Sequence, residues 1–286
     1  MSNLKDKYIN PLTDFGFKKL FGSEPNKVLL IDFLNQILPP KHQIKDLTYG
    51  RSEQLGRNDF DRKAIFDLYC IGTSGERFIV EMQKAKQNYF KDRSIYYASF
   101  PIHEQSKKGD WDYQLDPVYT VGILDFVFED HKTEEPLLHL VELKNQKCEV
   151  FYDKLKFIYI ELPKFTKREE ELETQFDKWL YVFKHLSKLQ DRPPRLQDKI
   201  FRKLFEAAEV AKFTSAEREA YEESLKHYRD IKNIVDTSKA EGREEGRAEG
   251  KEEERYKIAR ALKGDQIPWE TIQKATGLSM EEIEKL

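Results

Sequence analysis

The sequence predicts an α/β fold with a helical extension at the C-terminal end. Two patterns indicate this class: apolar residues recur at helical spacing near the start of the chain, and short strand-like runs come after them. From about residue 165 onward the pattern is helical and charged. With 286 residues, 39% of them hydrophobic, the chain can hold one sizeable core and an appendage.

The elements of the first half follow one another in a simple order. Residues 15–38 have helical spacing, with an interruption near Gly22 and a stop at Pro39-Pro40. Strand-like runs and one further helical pattern come next. We predict strands within 43–49, 63–71, 76–84 and 118–128, a helix over 92–105, and additional strand material in 137–150 and 157–162.

Two neighbouring runs, 63–71 and 76–84, form a predicted β-hairpin closed by Gly72-Thr73-Ser74-Gly75. Pairing about Ser74 makes Asp67 face Glu81 directly. Opposed residues have Cβ atoms roughly 5 Å apart, and like charges there are destabilising. A divalent cation held by the two carboxylates would compensate for this repulsion. The alternative is that both acids are ordinary polar residues on a solvent-exposed face of the hairpin.

The two faces of this hairpin differ in polarity. Because side chains alternate along a strand, Lys63, Asp67, Glu81 and Gln83 share one face, which we predict to be accessible. The other face is predicted to be the core side, and it holds Ala64, Phe66, Leu68, Cys70, Phe78, Val80 and Met82. An even-numbered loop or a bulge would shift the register by one and separate the acids.

Four spaced segments, 11–22, 61–67, 78–84 and 122–128, resemble the recombination-promoting nuclease family, also called the PD-(D/E)XK putative transposases of bacteria. The resemblance covers most of the chain. It implies a PD-(D/E)XK restriction-endonuclease-like core, in which helices flank a central mixed sheet and helix, three strands, helix and strand is the expected order. It also implies a metal-dependent DNA endonuclease that promotes recombination or transposition.

The resemblance further implies roles for individual residues. Asp67 and Glu81 would bind Mg²⁺, with Mn²⁺ as an alternative, and the superfamily usually has lysine where this chain has Gln83. The Gln83 amide could orient the attacking water. Lys63, on the same predicted face as Asp67, is the candidate for the missing positive charge. Lys84 is a weaker one, because it alternates to the other face.

Asp14 has two readings. It belongs to the family-like N-terminal segment and could be an additional acid near the metal, but it also stands where a helix N-cap is expected.

The formal net charge of −3 argues against a globally basic protein that coats nucleic acid, so any contact with DNA must be local. Two basic patches flank the acids, and ordinary solvated lysines are the alternative interpretation. The candidates for contact with DNA are Lys18, Lys19 and Lys27 in the first patch and Lys84, Lys86, Lys91 and Arg93 in the second.

We predict four segments: a nuclease-like core over 1–164, a helical subdomain over 165–238, a charged linker over 239–255 and a small helix-turn-helix-like unit over 256–286. Gly242, Gly246 and Gly250 make a helix over the linker marginal, although such a stripe could let helices approach closely in a dimer. The last unit carries Glu281, Glu282 and Glu284, which would repel phosphates. These acids therefore favour a role of this unit in assembly, for example in a homo-oligomer, over recognition of a DNA sequence.

Several classes of protein are disfavoured. There is no segment that resembles a signal peptide and no run near the ~18 apolar residues of a membrane span, so we expect a cytoplasmic protein without membrane partners. Only Cys70 and Cys148 are present, which excludes a cysteine-rich zinc site and predicts a metal bound by oxygen. Two alternative functions stay open: a catalytically weak DNA-binding or regulatory protein, and an RNA-directed nuclease.

Overall fold

The computed structural model describes residues 6–51, 53–54, 64–106, 112–128 and 136–286. The chain divides into two units, Met1–Ile231 and Lys232–Leu286. Each unit has an apolar core of its own.

A six-stranded mixed sheet organises the first unit, with strand order β1-β4-β5-β6-β8-β7. The middle of the sheet is parallel, since β5 pairs with β6 and β6 with β8, whereas the outer pairs are antiparallel. Two further short strands, β2 and β3, pair separately. The strands are β1 (Leu47–Tyr49), β2 (Glu53–Gln54), β3 (Ala64–Ile65), β4 (Leu68–Gly72), β5 (Arg77–Gln83), β6 (Val118–Leu124), β7 (Leu138–Lys144) and β8 (Val150–Glu161).

Helices cover the sheet on both faces, as predicted for this α/β class. The predicted break near Gly22 separates the first two helices, and the predicted helix over 92–105 is the third. The helices are α1 (Asp14–Phe21), α2 (Lys27–Asn35), α3 (Phe90–Glu104), α4 (Gln175–His185), α5 (Lys199–Ala208), α6 (Ser215–Gly264), α7 (Trp269–Thr276) and α8 (Met280–Glu284).

One face of the sheet packs on an aromatic cluster that joins α1, α2 and α4. Phe21 is at its centre, with ring centroids 5.5 Å from Phe183, 5.7 Å from Trp179 and 6.2 Å from Phe33. Trp179 is fully buried, and its Nε1–H donates to Asp32 Oδ1 at 2.7 Å. Residues of α4 and α5 therefore share the apolar core of the sheet, while the predicted boundary between segments 1–164 and 165–238 stays a prediction.

The face of the hairpin that was predicted to be accessible to solvent is different in the structure. The predicted strand over 63–71 is broken at Phe66 and Asp67, and Phe66 packs with Tyr69 and Ile79 against α3 instead of joining the core side. The face that we predicted to be accessible is thus covered. The reason is topological: β5 and β6 are parallel, so the chain must cross over between them, and the crossover helix α3 lies on that face.

The hairpin turn has the predicted odd-numbered geometry. Gly72 N–H donates to Glu76 O at 2.8 Å, and Gly75 N–H donates to Gly72 O at 3.0 Å. Gly75 has φ of +93°, a conformation that strongly favours glycine. A Cβ at this position would also lie 2.7 Å from Asp116 Oδ2. Asp116 in turn pairs with Arg77 at 3.1 Å, which ties the turn to the start of β5.

The second unit is helical, and its caps match the sequence pattern. Gly264 ends α6, Gly277 ends α7 with φ of +69°, and Ser279 caps α8 in a capping box with Glu282. Ala259, Ile272, Leu278 and Ile283 form its buried core.

The expectation that a helix is marginal over the charged segment 239–255 is wrong, because these residues are helical and belong to α6. Their Glu, Arg, Lys and Ala residues are strong helix formers, and charge pairs three or four residues apart add support. At Gly242, Gly246 and Gly250 a Cβ would meet no atom of the described residues within 4 Å. Glycine is therefore not required there by packing within the chain.

The helices of the described ranges include none that combines the length and the apolar character needed to cross a membrane. Cys70 is buried and Cys148 exposed, and both are free thiols.

Replacing Phe21 by alanine should lower the free energy of unfolding by about 3–5 kcal/mol, because a fully buried ring at the centre of the aromatic cluster is lost. Urea denaturation measures this change. Phe151→Ala is the matched control, since that ring is 80% exposed and its loss should cost less than about 0.5 kcal/mol. Equal losses in the two variants would contradict the packing described here.

Replacing Gly242, Gly246 and Gly250 together by alanine should strengthen the middle of α6 by about 1 kcal/mol for each position. Hydrogen exchange of the backbone amides in residues 239–255 should slow accordingly. Ala248→Gly is the control and should speed exchange. If the triple variant instead weakens self-association, the glycine stripe is a contact between helices.

Candidate active site

The structure brings Asp67 and Glu81 together. Residues Ile71 and Arg77 pair across the hairpin, as do Tyr69 and Ile79, which is the predicted register. Asp67 lies at the bend just before β4, where its backbone N–H donates to Glu81 Oε1 at 3.2 Å. Its own Oδ2 accepts the backbone N–H of Met82 at 2.7 Å. The hairpin therefore has the predicted register, and the backbone of Asp67 contacts the Glu81 side chain.

Both carboxyl groups resist ionisation in this environment. Glu81 is only 9% exposed, and burial, assisted by the negative charge of Asp67, raises the pKa of its carboxyl to about 8. Burial likewise raises the pKa of Asp67, although the hydrogen bond from Met82 works in the opposite direction. Two carboxyl groups whose ionised forms would repel each other thus lie side by side, and a nearby cation would favour the ionised form of both.

The donor atoms suit a hard divalent cation. Asp67 Oδ1 and Glu81 Oε2 receive no hydrogen bond from any described residue, so each carboxylate offers one oxygen. Over the described ranges no group of three or more His, Cys, Asp or Glu side chains could hold a metal. Two carboxylates nevertheless match Mg²⁺, which usually takes its remaining ligands from water and substrate phosphate. The residues present therefore fit such an ion.

The first turn of α1 lies beside the acids. Thr13, not Asp14, is the N-cap of this helix, and its side chain accepts the N–H of Gly16, so the interpretation of Asp14 as the cap is wrong. Asp14 pairs with Lys18 at 2.9 Å. The charge of Asp14 helps to raise the pKa of Asp67, whereas that of Lys18 lowers the pKa of both Asp67 and Glu81. Asp14 is thus within electrostatic range of Asp67.

The amide of Gln83 is engaged at both ends. Its Nε2 donates to the carbonyl oxygen of Ala85 at 3.0 Å, and its Oε1 accepts from Nη2 of Arg93 at 2.7 Å. Arg93 comes from the first turn of α3. Its charge also lowers the pKa of Glu81. The water-orienting role of Gln83 stays a prediction.

Of the two predicted lysines, Lys63 lies outside the described residues. Lys84 follows the last residue of β5, so strand alternation no longer decides its direction. Burial lowers the pKa of the Lys84 ammonium, and the charges of Asp14 and Asp67 oppose this shift. Its Nζ lies 5.9 Å from the ring centroid of Tyr228 on α6. Lys84 is thus close enough to Asp14 and Asp67 to interact with them. The argument that strand alternation turns Lys84 to the other face does not apply.

The other candidates for contact with DNA have varied surroundings. Lys19 forms an ion pair with Glu217, and Lys27 forms one with Asp46 at 2.8 Å. Lys91 Nζ lies 4.7 Å from the ring centroid of Phe128. Lys86 and Lys91 both line an open cavity of about 500 Å³, together with Gln87, Tyr89, Phe90, Phe126 and Phe128.

Two residues near the acids were missed by the sequence reasoning. Asp125 directly follows β6, its N–H donates to Gln83 O at 2.9 Å, and its Oδ2 accepts from the Tyr228 hydroxyl at 3.2 Å. A polar residue after a buried parallel strand is a recognisable signal, because ligands of open α/β sheets bind at the carboxyl ends of strands. Tyr228 carries no such local signal, since it reaches the site only through the packing of α6.

Comparison with known proteins adds the family. Residues 11–238 match the model of the PD-(D/E)XK nuclease family transposase, which spans the whole sheet and the acid pair. Searches of curated proteins and of solved structures found no match. The mixed six-stranded sheet flanked by helices is consistent with the fold of this family. The chain belongs to the PD-(D/E)XK nuclease family transposases.

Proposed function

We propose that this protein is a metal-dependent nuclease that hydrolyses phosphodiester bonds in DNA and thereby promotes recombination or transposition. The observation that carries the proposal is the buried, directly opposed pair of Asp67 and Glu81, whose free oxygens suit a divalent cation. Family membership supports the nuclease class.

In the proposed mechanism Asp67 and Glu81 hold Mg²⁺, or Mn²⁺ in its place. Such an ion, when bound, polarises a phosphoryl oxygen and lowers the pKa of a coordinated water. The backbone N–H groups of Met82 and Asp67 keep the two carboxylates in a fixed orientation. Lys18 and Lys84, both within electrostatic range of Asp67, would attract the phosphate backbone of the substrate.

A catalytically weak DNA-binding or regulatory protein is the second candidate. The engaged amide of Gln83 favours it, because a side chain that is bonded at both ends is not free to orient water. For the second unit we propose a role in assembly with another copy of the chain. Exposed apolar side chains there support this role, namely Ile234, Ile258 and Trp269.

Glu81→Gln should make the metal-free protein more stable above neutral pH. The carboxyl pKa is about 8 in the folded protein and 4.5 for an ordinary glutamate, so the folded state binds more protons between these values and loses stability as the pH rises through them. In EDTA the variant should gain on the order of 4 kcal/mol over the native protein near pH 8 and little near pH 5.

Urea denaturation at several pH values measures this difference, and Glu244→Gln on exposed α6 is the control. Addition of Mg²⁺ should stabilise the native protein but not Glu81→Gln. If the stability of both proteins has the same pH dependence in EDTA, the carboxyl pKa of Glu81 is not raised in the folded protein.

Asp67→Asn should abolish cleavage of DNA. Purified protein is incubated with supercoiled plasmid and Mg²⁺ or Mn²⁺, and the nicked and linear products are quantified by gel electrophoresis. Removing one of two metal ligands should lower the rate by about 100-fold or more. Asp191→Asn is the control, since the Asp191 side chain is 90% exposed and should not matter.

Nicking that persists in Asp67→Asn would exclude the proposed site. Failure of the native protein to cut any substrate with either metal would favour the weak DNA-binding protein. A single-stranded and a structured RNA, tested in parallel, identify an RNA-directed nuclease.

A further inference from the structure

We propose that Arg93 supplies the positive charge beside the reacting phosphate, and that Gln83 is the positioning residue that holds the Arg93 guanidinium in place. The inference rests on the proposed nuclease function and assigns to Arg93 the role that a lysine at position 83 has in related enzymes.

The position of the guanidinium is the first argument. Gln83 comes two residues after Glu81 on β5, so both side chains are on the same face of the strand. Arg93 Nη2 donates to Gln83 Oε1 at 2.7 Å. The guanidinium therefore lies on the face of the sheet that carries the acids, at the end of the side chain that replaces lysine.

The rigidity of Arg93 is the second argument. Its Nη1 donates to Gln87 Oε1, and its guanidinium carbon lies 5.2 Å and 5.7 Å from the ring centroids of Phe90 and Tyr97. Gln83 is itself fixed by its bond to the Ala85 carbonyl. A charged group held by two hydrogen bonds and two rings needs little reorganisation when a substrate arrives.

The charge of Arg93 is the third argument. Both of its hydrogen-bond partners are neutral amides, and no carboxylate of the described residues forms an ion pair with it. Lys18 and Lys19 differ, since each pairs with an acid. A guanidinium has five N–H donors in a planar fork that matches phosphate oxygens. Arg93 thus keeps both its full charge and free donors for a phosphate.

The test moves the positive charge from Arg93 to position 83. Plasmid cleavage with Mg²⁺ is compared for the native protein, Arg93→Ala, Arg93→Lys and the double variant Gln83→Lys/Arg93→Ala. Mg²⁺ affinity is measured separately by calorimetry, and folding by thermal denaturation. Arg195→Ala is the control, because it removes the same charge from an exposed turn.

We expect kcat to fall by about 100-fold or more in Arg93→Ala while Mg²⁺ affinity stays within a few-fold of the native value. Arg93→Lys should retain part of the activity. The double variant should recover at least about tenfold over Arg93→Ala, which a purely structural role for Arg93 would not produce.

Cleavage by Arg93→Ala within about threefold of the native rate overturns the inference, and so does a folded double variant that is no more active than Arg93→Ala. A native protein that does not cleave at all contradicts the proposed function instead. The two failures are therefore distinguishable.

Discussion

The repulsion between two buried carboxylates, Asp67 and Glu81, is the interaction on which the site depends. The hairpin brings them together, and burial raises the pKa of both carboxyl groups. A folded domain tolerates such a pair only at a cost in stability. In the proposed function a cation would offset that cost, and the charges of Lys18 and Arg93 already lower the pKa of Glu81.

Local patterns predicted much of the fold and the centre of the site. Alternation and the turn composition were enough to pair Asp67 with Glu81, because both signals act within twenty residues of each other in the chain. The caps of α7 and α8 were also predictable, since Gly277 and Ser279 have specific local roles. The family resemblance supplied the chemistry, which no periodicity could.

Contacts between distant segments were not predictable in this way. The covered face of the hairpin depends on where α3 lies after the crossover, so Phe66 was assigned to the wrong side. The contact of Arg93 with Gln83 depends on the same helix. Tyr228 comes from α6, far along the chain from the acids. The linker prediction failed for a different reason: the helix propensity of the many Glu, Arg, Lys and Ala residues outweighs the cost of three glycines.

The opposition of the two acids constrains the length of the turn between β4 and β5. Surface loops commonly accept insertions and deletions, because little depends on their length. In this hairpin the number of turn residues sets which face of the sheet Glu81 occupies, and the ion pair of Asp116 with Arg77 ties the turn to the start of β5. A single inserted residue would leave both acids in the sequence and separate them in space. Loop length is here as much a part of the candidate active site as the carboxylates themselves.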